Sequence, residues 1–226
     1  KTFITNGIHA DLIIVACKTD LHAVPKHKGI SLLVVERDME GFSRGRKLEK
    51  VGMHCQDTAE LNFEDCIVPK ENLLGEAGQG FMYMMDKLQQ ERLIVAISAQ
   101  VAAEDMLQMT LDYVKSRKAF GKSVSDFENT EYKLAEIASD IKMGRVFLDQ
   151  LIADHIAGKN IVAEVSMAKW KLTDMSKRIS VECMQLHGGY GYMEEYKIAR
   201  RFRDTPVASI YAGTNEIMKT IIAKNL

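Results

Sequence analysis

Gly80-Phe81-Met82-Tyr83-Met84-Met85-Asp86-Lys87-Leu88-Gln89-Gln90-Glu91-Arg92-Leu93-Ile94-Val95-Ala96-Ile97 opens the helical part of this chain and puts a carboxylate among its apolar residues. At roughly 100° per residue, Met84, Leu88 and Val95 share one face, and Glu91 falls inside that stripe. Burying an ionised carboxylate is costly unless it is paired or takes up a proton. A carboxyl held in an apolar slot has a raised pKa, which suits a general base working near neutral pH. The plainer reading is a glutamate paired with Arg92 or turned to solvent.

Before this stretch the chain reads as β. Asp11–Cys17 and Ile30–Val35 are short aliphatic runs, and Ala59–Asp65 alternates polar and apolar as a half-buried antiparallel strand does. Pro25, Pro69, Gly41 and Gly45 punctuate the turns. Near Gly75 the period changes from two to 3.6. Helices are expected over Gly80–Arg117, Thr130–Ala157 and Val162–Leu186, and from Asn215 onward. The second should bury Leu134, Ile137, Ile141, Leu148, Leu151 and Ile152, with Asp126 or Asn129 as its cap and Gly158 as its end. The fold class is therefore α+β. A partial antiparallel β-domain over 1–74 precedes an all-α up-down four-helix bundle over 75–226.

Composition removes whole classes of function. With 30 Lys+Arg against 31 Asp+Glu, the 226 residues carry no electrostatic footprint for nucleic acid or an anionic membrane. No apolar run reaches membrane-spanning length, and neither a signal nor a transit peptide is visible. Cys17, Cys55, Cys66 and Cys183 lack CxxC spacing and neighbouring His clusters, so they read as reduced thiols and no metal site is expected. The compartment expected is bacterial cytoplasm or mitochondrial matrix. Because Lys1 opens directly into strand-like sequence, the chain reads as part of a longer polypeptide.

Three glycine-bearing segments remain: Arg117-Lys118-Ala119-Phe120-Gly121-Lys122, Gln185-Leu186-His187-Gly188-Gly189-Tyr190-Gly191-Tyr192 and Tyr211-Ala212-Gly213-Thr214-Asn215-Glu216. Glycines at 188, 189 and 191 suit backbone that approaches something flat or charged, or that takes positive φ. Thr214 as an N-cap would aim the free N–H groups of the last helix at an acceptor.

In this order the segments resemble the acyl-CoA dehydrogenase family, and the likeness runs over the whole chain. Lys1-Thr2-Phe3-Ile4-Thr5-Asn6-Gly7 is similar to a family strand whose aromatic and hydroxyl residues, here Phe3 and Thr5, lie against the flavin ring. Arg117 and Phe120 match an R-x-x-F-G motif that contacts the FAD of a neighbouring subunit. Gln185, Gly188 and Gly189 match a Q-x-x-G-G-x-G motif that meets the pyrophosphate and ADP part. Tyr211, Gly213 and Thr214 match the Y-E-G-T segment beside the flavin, with Glu216 following.

One departure bears on mechanism. Most members carry the catalytic glutamate within Y-E-G-T, where this chain has Ala212. The long-chain and isovaleryl-type branches place it on the first bundle helix directly before an Arg, the position of Glu91-Arg92. The resemblance thus implies dehydrogenation of an acyl-CoA thioester to a trans-2-enoyl-CoA, with Glu91 taking the α-proton and FAD the hydride. The Ala212 N–H would bind the thioester oxygen, a role that survives loss of the Glu side chain. Arg92, Met84, Leu88, Tyr211 and Gly213 would contact substrate. Electron-transferring flavoprotein is the expected electron acceptor, and a homotetramer built as a dimer of dimers the expected assembly. An acyl-CoA oxidase-like flavoenzyme and a non-catalytic helical interaction module are the rival readings. Two residues depart further: Glu128 stands where the family has a Gln near FAD, with Asn129 beside it, and Glu216 stands where many members have Gln. His187 reads as structural.

Overall fold

The computed structural model describes residues 1–226 and divides into two compact units, Lys1–Lys87 and Leu88–Leu226. The division falls inside the first long helix, later than the change of sequence period near Gly75.

The first unit is built on six short strands: β1 (Ile4–Thr5), β2 (Leu12–Lys18), β3 (Ile30–Glu36), β4 (Phe42–Lys47), β5 (Thr58–Phe63) and β6 (Leu73–Leu74). They form two antiparallel sheets, ordered β1-β5-β4 and β2-β3-β6. In β5 the period-two pattern does what it should: Ala59 and Leu61 are buried while Glu60 and Asn62 are not. Val15, Leu32 and Val35 supply the apolar interior of the other sheet, where β2 and β3 pair in register through Ile13–Val35 and Val15–Leu33. The strand expected at Lys1–Gly7 shrinks to Ile4–Thr5, because Phe3 (φ 59°) and Asn6 (φ 62°) leave the extended region on either side. Strand β4 has too little apolar sequence to be read as one. Partner pairing forms it, with Phe42 facing Phe63 across the ladder at a ring separation of 5.1 Å.

The rest is helical. α1 (Gly80–Ser116) is followed by a small hairpin of β7 (Lys118–Ala119) and β8 (Lys122–Ser123). Then come α2 (Glu128–Ile156), α3 (Val162–Leu186), α4 (Lys197–Asp204) and α5 (Asn215–Ala223). Leu93, Ala96 and Ala99 of α1 pack with Leu148 and Leu151 of α2 and with Val165, Ala168 and Leu172 of α3. A second layer joins Ala103 and Met106 to Ile137, Ile141, Ile179 and Ile198. Burial of each Leu or Ile contributes roughly 1.5–3 kcal/mol, and alanines on α1 let the neighbouring helices approach closely.

Several expectations need correction. The core face of α1 runs through Leu93, Ala96, Ala99, Ala103 and Met106, whereas Met84, Leu88 and Val95 are half-buried on an adjoining stripe. In α2 the central four expected residues are buried, but Leu134 and Ile152 only partly. Neither Asp126 nor Asn129 caps α2: Phe127 stands at its N-cap without a side-chain bond, and Asp126 instead closes a capping box with Ser123 over the preceding 3-10 turn. The helix α4 was not foreseen: Ile198, Ala199 and Phe202 do share one face, but the segment is only eight residues long.

Candidate active site

The loop Tyr211–Thr214 enters α5 through Thr214, whose Oγ1 accepts a hydrogen bond from the Ile217 N–H at 3.4 Å, an N-cap as expected. Ahead of the cap, Ala212 (φ 52°) and Gly213 (φ 93°) both take positive φ. For Ala212 that left-handed turn costs about 1–2 kcal/mol, so surrounding contacts must hold it. No hydrogen bond within the chain uses the Ala212 N–H, which leaves that donor free. The Gly213 carbonyl accepts from the Lys169 ammonium at 2.7 Å, and the same ammonium donates to Asn215 Oδ1 at 3.0 Å. Sequence reading missed Lys169 altogether, although it is fully buried on α3.

Arg92 reaches this loop from α1: its Nη2 lies 3.9 Å from where a Cβ on Gly213 would stand. Arg92 is buried, its Nε has no partner, and burial pulls its pKa down while Glu91 opposes the shift. Burial also pushes the Lys169 ammonium down to about 8, with Arg92 acting in the same direction. Glu91 itself is exposed and makes no ion pair with Arg92 or any other residue. The burial on which its reading as a desolvated base rested is therefore not supplied by this chain. What remains is a free carboxylate, one residue before an arginine whose guanidinium approaches the Gly213 corner. Leu88 and Met84 follow it half-buried along the helix, and Tyr211 is exposed at the loop.

A second group of expected residues meets at the far end of α1. A cavity of about 540 Å³ is lined by Tyr113, Arg117, Gln185, His187, Gly188 and Gly189, among others. The Arg117 guanidinium lies over the Tyr190 ring at 5.3 Å and has no carboxylate partner. The glycines there divide by role. A Cβ on Gly189 would meet nothing within 4 Å, so it would stand in open space, whereas one on Gly191 would run into the Met184 carbonyl at 2.3 Å. Gly191 thus serves close packing, and Gly188 (φ 60°) and Gly189 leave room for something outside the chain. His187 is buried, its Nδ1–H donates to the Cys183 carbonyl at 2.8 Å, and burial lowers its pKa. That is a structural histidine.

The other expected residues are not drawn into either cluster. Phe120 is 97% exposed at the hairpin, with φ 50°. Glu128 takes a hydrogen bond from the Tyr132 hydroxyl at 2.5 Å, and Asn129 is exposed. Glu216 is exposed in the first turn of α5. In the first unit, Phe3 is 78% exposed and Thr5 is exposed opposite Thr58.

Comparison with known proteins supplies a second, independent reading. Residues 1–66 match the family model described as acyl-CoA dehydrogenase, middle domain, and residues 78–226 the one described as acyl-CoA dehydrogenase, C-terminal domain. The chain is 47% identical over its full length to the long-chain specific acyl-CoA dehydrogenase, mitochondrial, of Sus scrofa, covering 53% of that protein. Among solved structures, the acyl-CoA dehydrogenase from Geobacillus kaustophilus superposes with a TM-score of 0.98 at 68% identity, over all of this chain and 59% of the other. The butyryl-CoA dehydrogenase from Megasphaera elsdenii does so with a TM-score of 0.93 at 37% identity, over all of this chain and 58% of the other. The chain spans about half the length of the curated relatives it matches.

Proposed function

The chain belongs to the acyl-CoA dehydrogenase family, and from that premise we propose that the protein carrying it desaturates the α–β carbon bond of an acyl-CoA thioester. One observation carries the reading to particular residues: the turn of α1 bearing Glu91-Arg92 lies against the Ala212-Gly213 corner, where a main-chain N–H is left free. A base and an oxyanion donor can thereby face one substrate.

The α-proton of a thioester is only weakly acidic, so its removal needs a fixed donor where negative charge develops on the carbonyl oxygen. The Ala212 N–H is that donor. The exposed Glu91 carboxylate, free of any internal partner, takes the α-proton. Arg92 stays charged beside Gly213 and adds positive potential to the corner. Leu88 and Tyr211, with Met84 one turn earlier on α1 and Gly213 on the loop, form the proposed contacts with the acyl thioester. The similarity to a relative named as long-chain specific supports a long acyl chain.

FAD is the proposed cofactor, and the residues present fit it. The cavity at Arg117 offers an unpaired guanidinium, the Gln185 side chain, and glycine backbone at 188 and 189 whose absent Cβ atoms leave open space. These groups suit a pyrophosphate, with Phe120 nearby on the hairpin and Thr214 and Glu216 at the start of α5 as further proposed contacts. For Phe3 and Thr5, exposed on the first unit, a flavin contact rests on the family resemblance alone. When bound, FAD would accept the β-hydride as the α-proton leaves.

Assembly as a homotetramer and electron delivery to electron-transferring flavoprotein belong to the same proposal. The exposed Met143, Val146 and Phe147 on α2 are the face available for subunit contact. No helix is long and apolar enough to cross a membrane, and bacterial cytoplasm or mitochondrial matrix is the proposed location. The test is anaerobic mixing of the full-length flavoprotein with acyl-CoAs of graded length. Bleaching of the visible flavin band is expected. A flavin that stays oxidised with every acyl-CoA would overturn the activity, and hydrogen peroxide release in air would convert the assignment to an oxidase.

A further inference from the structure

Lys169 is an expensive residue to bury, and α3 buries it completely. No carboxylate lies within ion-pair distance of it. Asp174 on its own helix and Glu216 on α5 act on it only at longer range, and the Arg92 guanidinium from α1 repels it. A methionine would fill the same volume without the desolvation. What the ammonium does have is two short bonds into one corner, to the Gly213 carbonyl at 2.7 Å and to Asn215 Oδ1 at 3.0 Å.

Asn215 is already fixed without it. Its Nδ2 donates to Thr173 Oγ1 at 3.1 Å and to Asp174 Oδ1 at 2.9 Å, both on α3. The Gly213 carbonyl has no other partner. Lys169 thus supplies the single hydrogen bond between the body of the helical unit and the two consecutive positive-φ residues that precede α5. Rotation of either residue would redirect the Ala212 N–H.

We propose that Lys169 is a positioning residue: by holding the Gly213 carbonyl it fixes the direction in which the free Ala212 N–H meets the thioester oxygen. The inference rests on the dehydrogenase reading of the site and assigns a residue to it that no motif marks. Lys169 touches neither substrate nor base, so its effect passes wholly through the backbone of the loop. The first deprotonation would leave the bond to Gly213 in place, since a neutral amine still donates.

The test uses the full-length holoenzyme. Wild-type protein is first mixed anaerobically with an acyl-CoA. If its flavin is not reduced, the dehydrogenase reading itself fails and the proposal goes with it. If it is reduced, Lys169→Met is compared with wild type by turnover and by the carbonyl stretch of bound enoyl-CoA in Raman difference spectra. The expected result is kcat lowered about a hundredfold, as for misplacement of a catalytic group by an ångström, with KM and FAD content near wild type and the carbonyl stretch moved toward its value in water. Unchanged kcat and an unchanged stretch would overturn the role of Lys169 while leaving the dehydrogenase reading intact. Should Lys169→Met fail to fold, Asn215→Ser decides. It removes the other partner and keeps the Lys169–Gly213 bond, so the stretch is expected to stay at the wild-type value, and a shift would place the loop under Asn215 instead.

Discussion

The imidazole of His187 lies flat against the ring of Tyr113, centroids 4.3 Å apart, while the Tyr113 hydroxyl donates to the His187 carbonyl at 3.0 Å. One pair of residues thus clamps the end of α3 to α1 both by ring contact and by main chain, at the wall of the Arg117 cavity. Tyr113→Phe keeps the ring and loses the bond. The expected cost is about 1 kcal/mol, read as a melting temperature lower by about 2–4 °C. An unchanged melting curve would show that the carbonyl finds another donor.

His187 also sets an acid limit. Burial lowers its pKa from the ordinary 6.5, so the folded state resists the proton that the unfolded chain accepts. Its contribution to stability is therefore complete above pH 6.5 and is lost as pH falls below that value. Denaturant unfolding of wild type and His187→Gln at pH 7.5 and 5.5 should show the larger acid loss in wild type. Equal losses would remove His187 from the acid response.

Lys169 works in the opposite sense. Its folded pKa of about 8 lies below the unfolded 10.5, so below pH 8 both states are charged and the full burial cost is felt. Between pH 8 and 10.5 the folded state is neutral while the unfolded chain still binds the proton, and stability rises with pH. Relative to Lys169→Met, wild type should gain up to about 3 kcal/mol across that window. A flat difference would mean that the buried ammonium keeps an ordinary pKa.

Glu91→Gln tests the base. Loss of a general base typically lowers turnover by about 10²–10⁴-fold, and because Glu91 is exposed and unpaired, folding and flavin content should not change. Wild-type turnover in this variant would end the assignment.

The two glycines of the cavity separate folding from binding. Gly189→Ala adds a methyl in open space and should leave the melting temperature unchanged while reducing the FAD bound per chain. Gly191→Ala drives a Cβ to 2.3 Å from the Met184 carbonyl and should destabilise the protein itself, measurable by thermal melting without cofactor. If Gly189→Ala held FAD as tightly as wild type, the cavity at Arg117 would lose its place in the cofactor proposal.

Long periodic helices were the legible part of the sequence. α3 runs over Val162–Leu186 as its pattern indicates, because 25 residues of stripe outweigh any local preference. Orientation was harder to read. Leu93 through Ile97 are apolar without a break, so α1 carries more than one apolar stripe, and only packing reveals that the one through Glu91 is not the core. The reasoning applied to Glu91, a charge inside a buried face, fits Lys169 instead: it lies among Val165, Leu172, Ser176 and Cys183 at helical spacing, all buried. Strand β4 was illegible for a different cause, since its partner strand rather than its own composition determines its conformation, whereas helix α4 has an apolar face but only eight residues to show it. The motif glycines marked both clusters, but not which of them meets a ligand and which meets carbonyl oxygen.

The free donor at position 212 belongs to the main chain, and that changes what inheritance can do to it. Every residue except proline carries an N–H, so almost no single-codon change at this position can delete the group. Substitutions there would be sorted by backbone shape, with Gly, Asn and Asp accepting φ near 52° and β-branched residues refusing it. A variant survey of this codon should accordingly rank by conformational class, indifferent to charge.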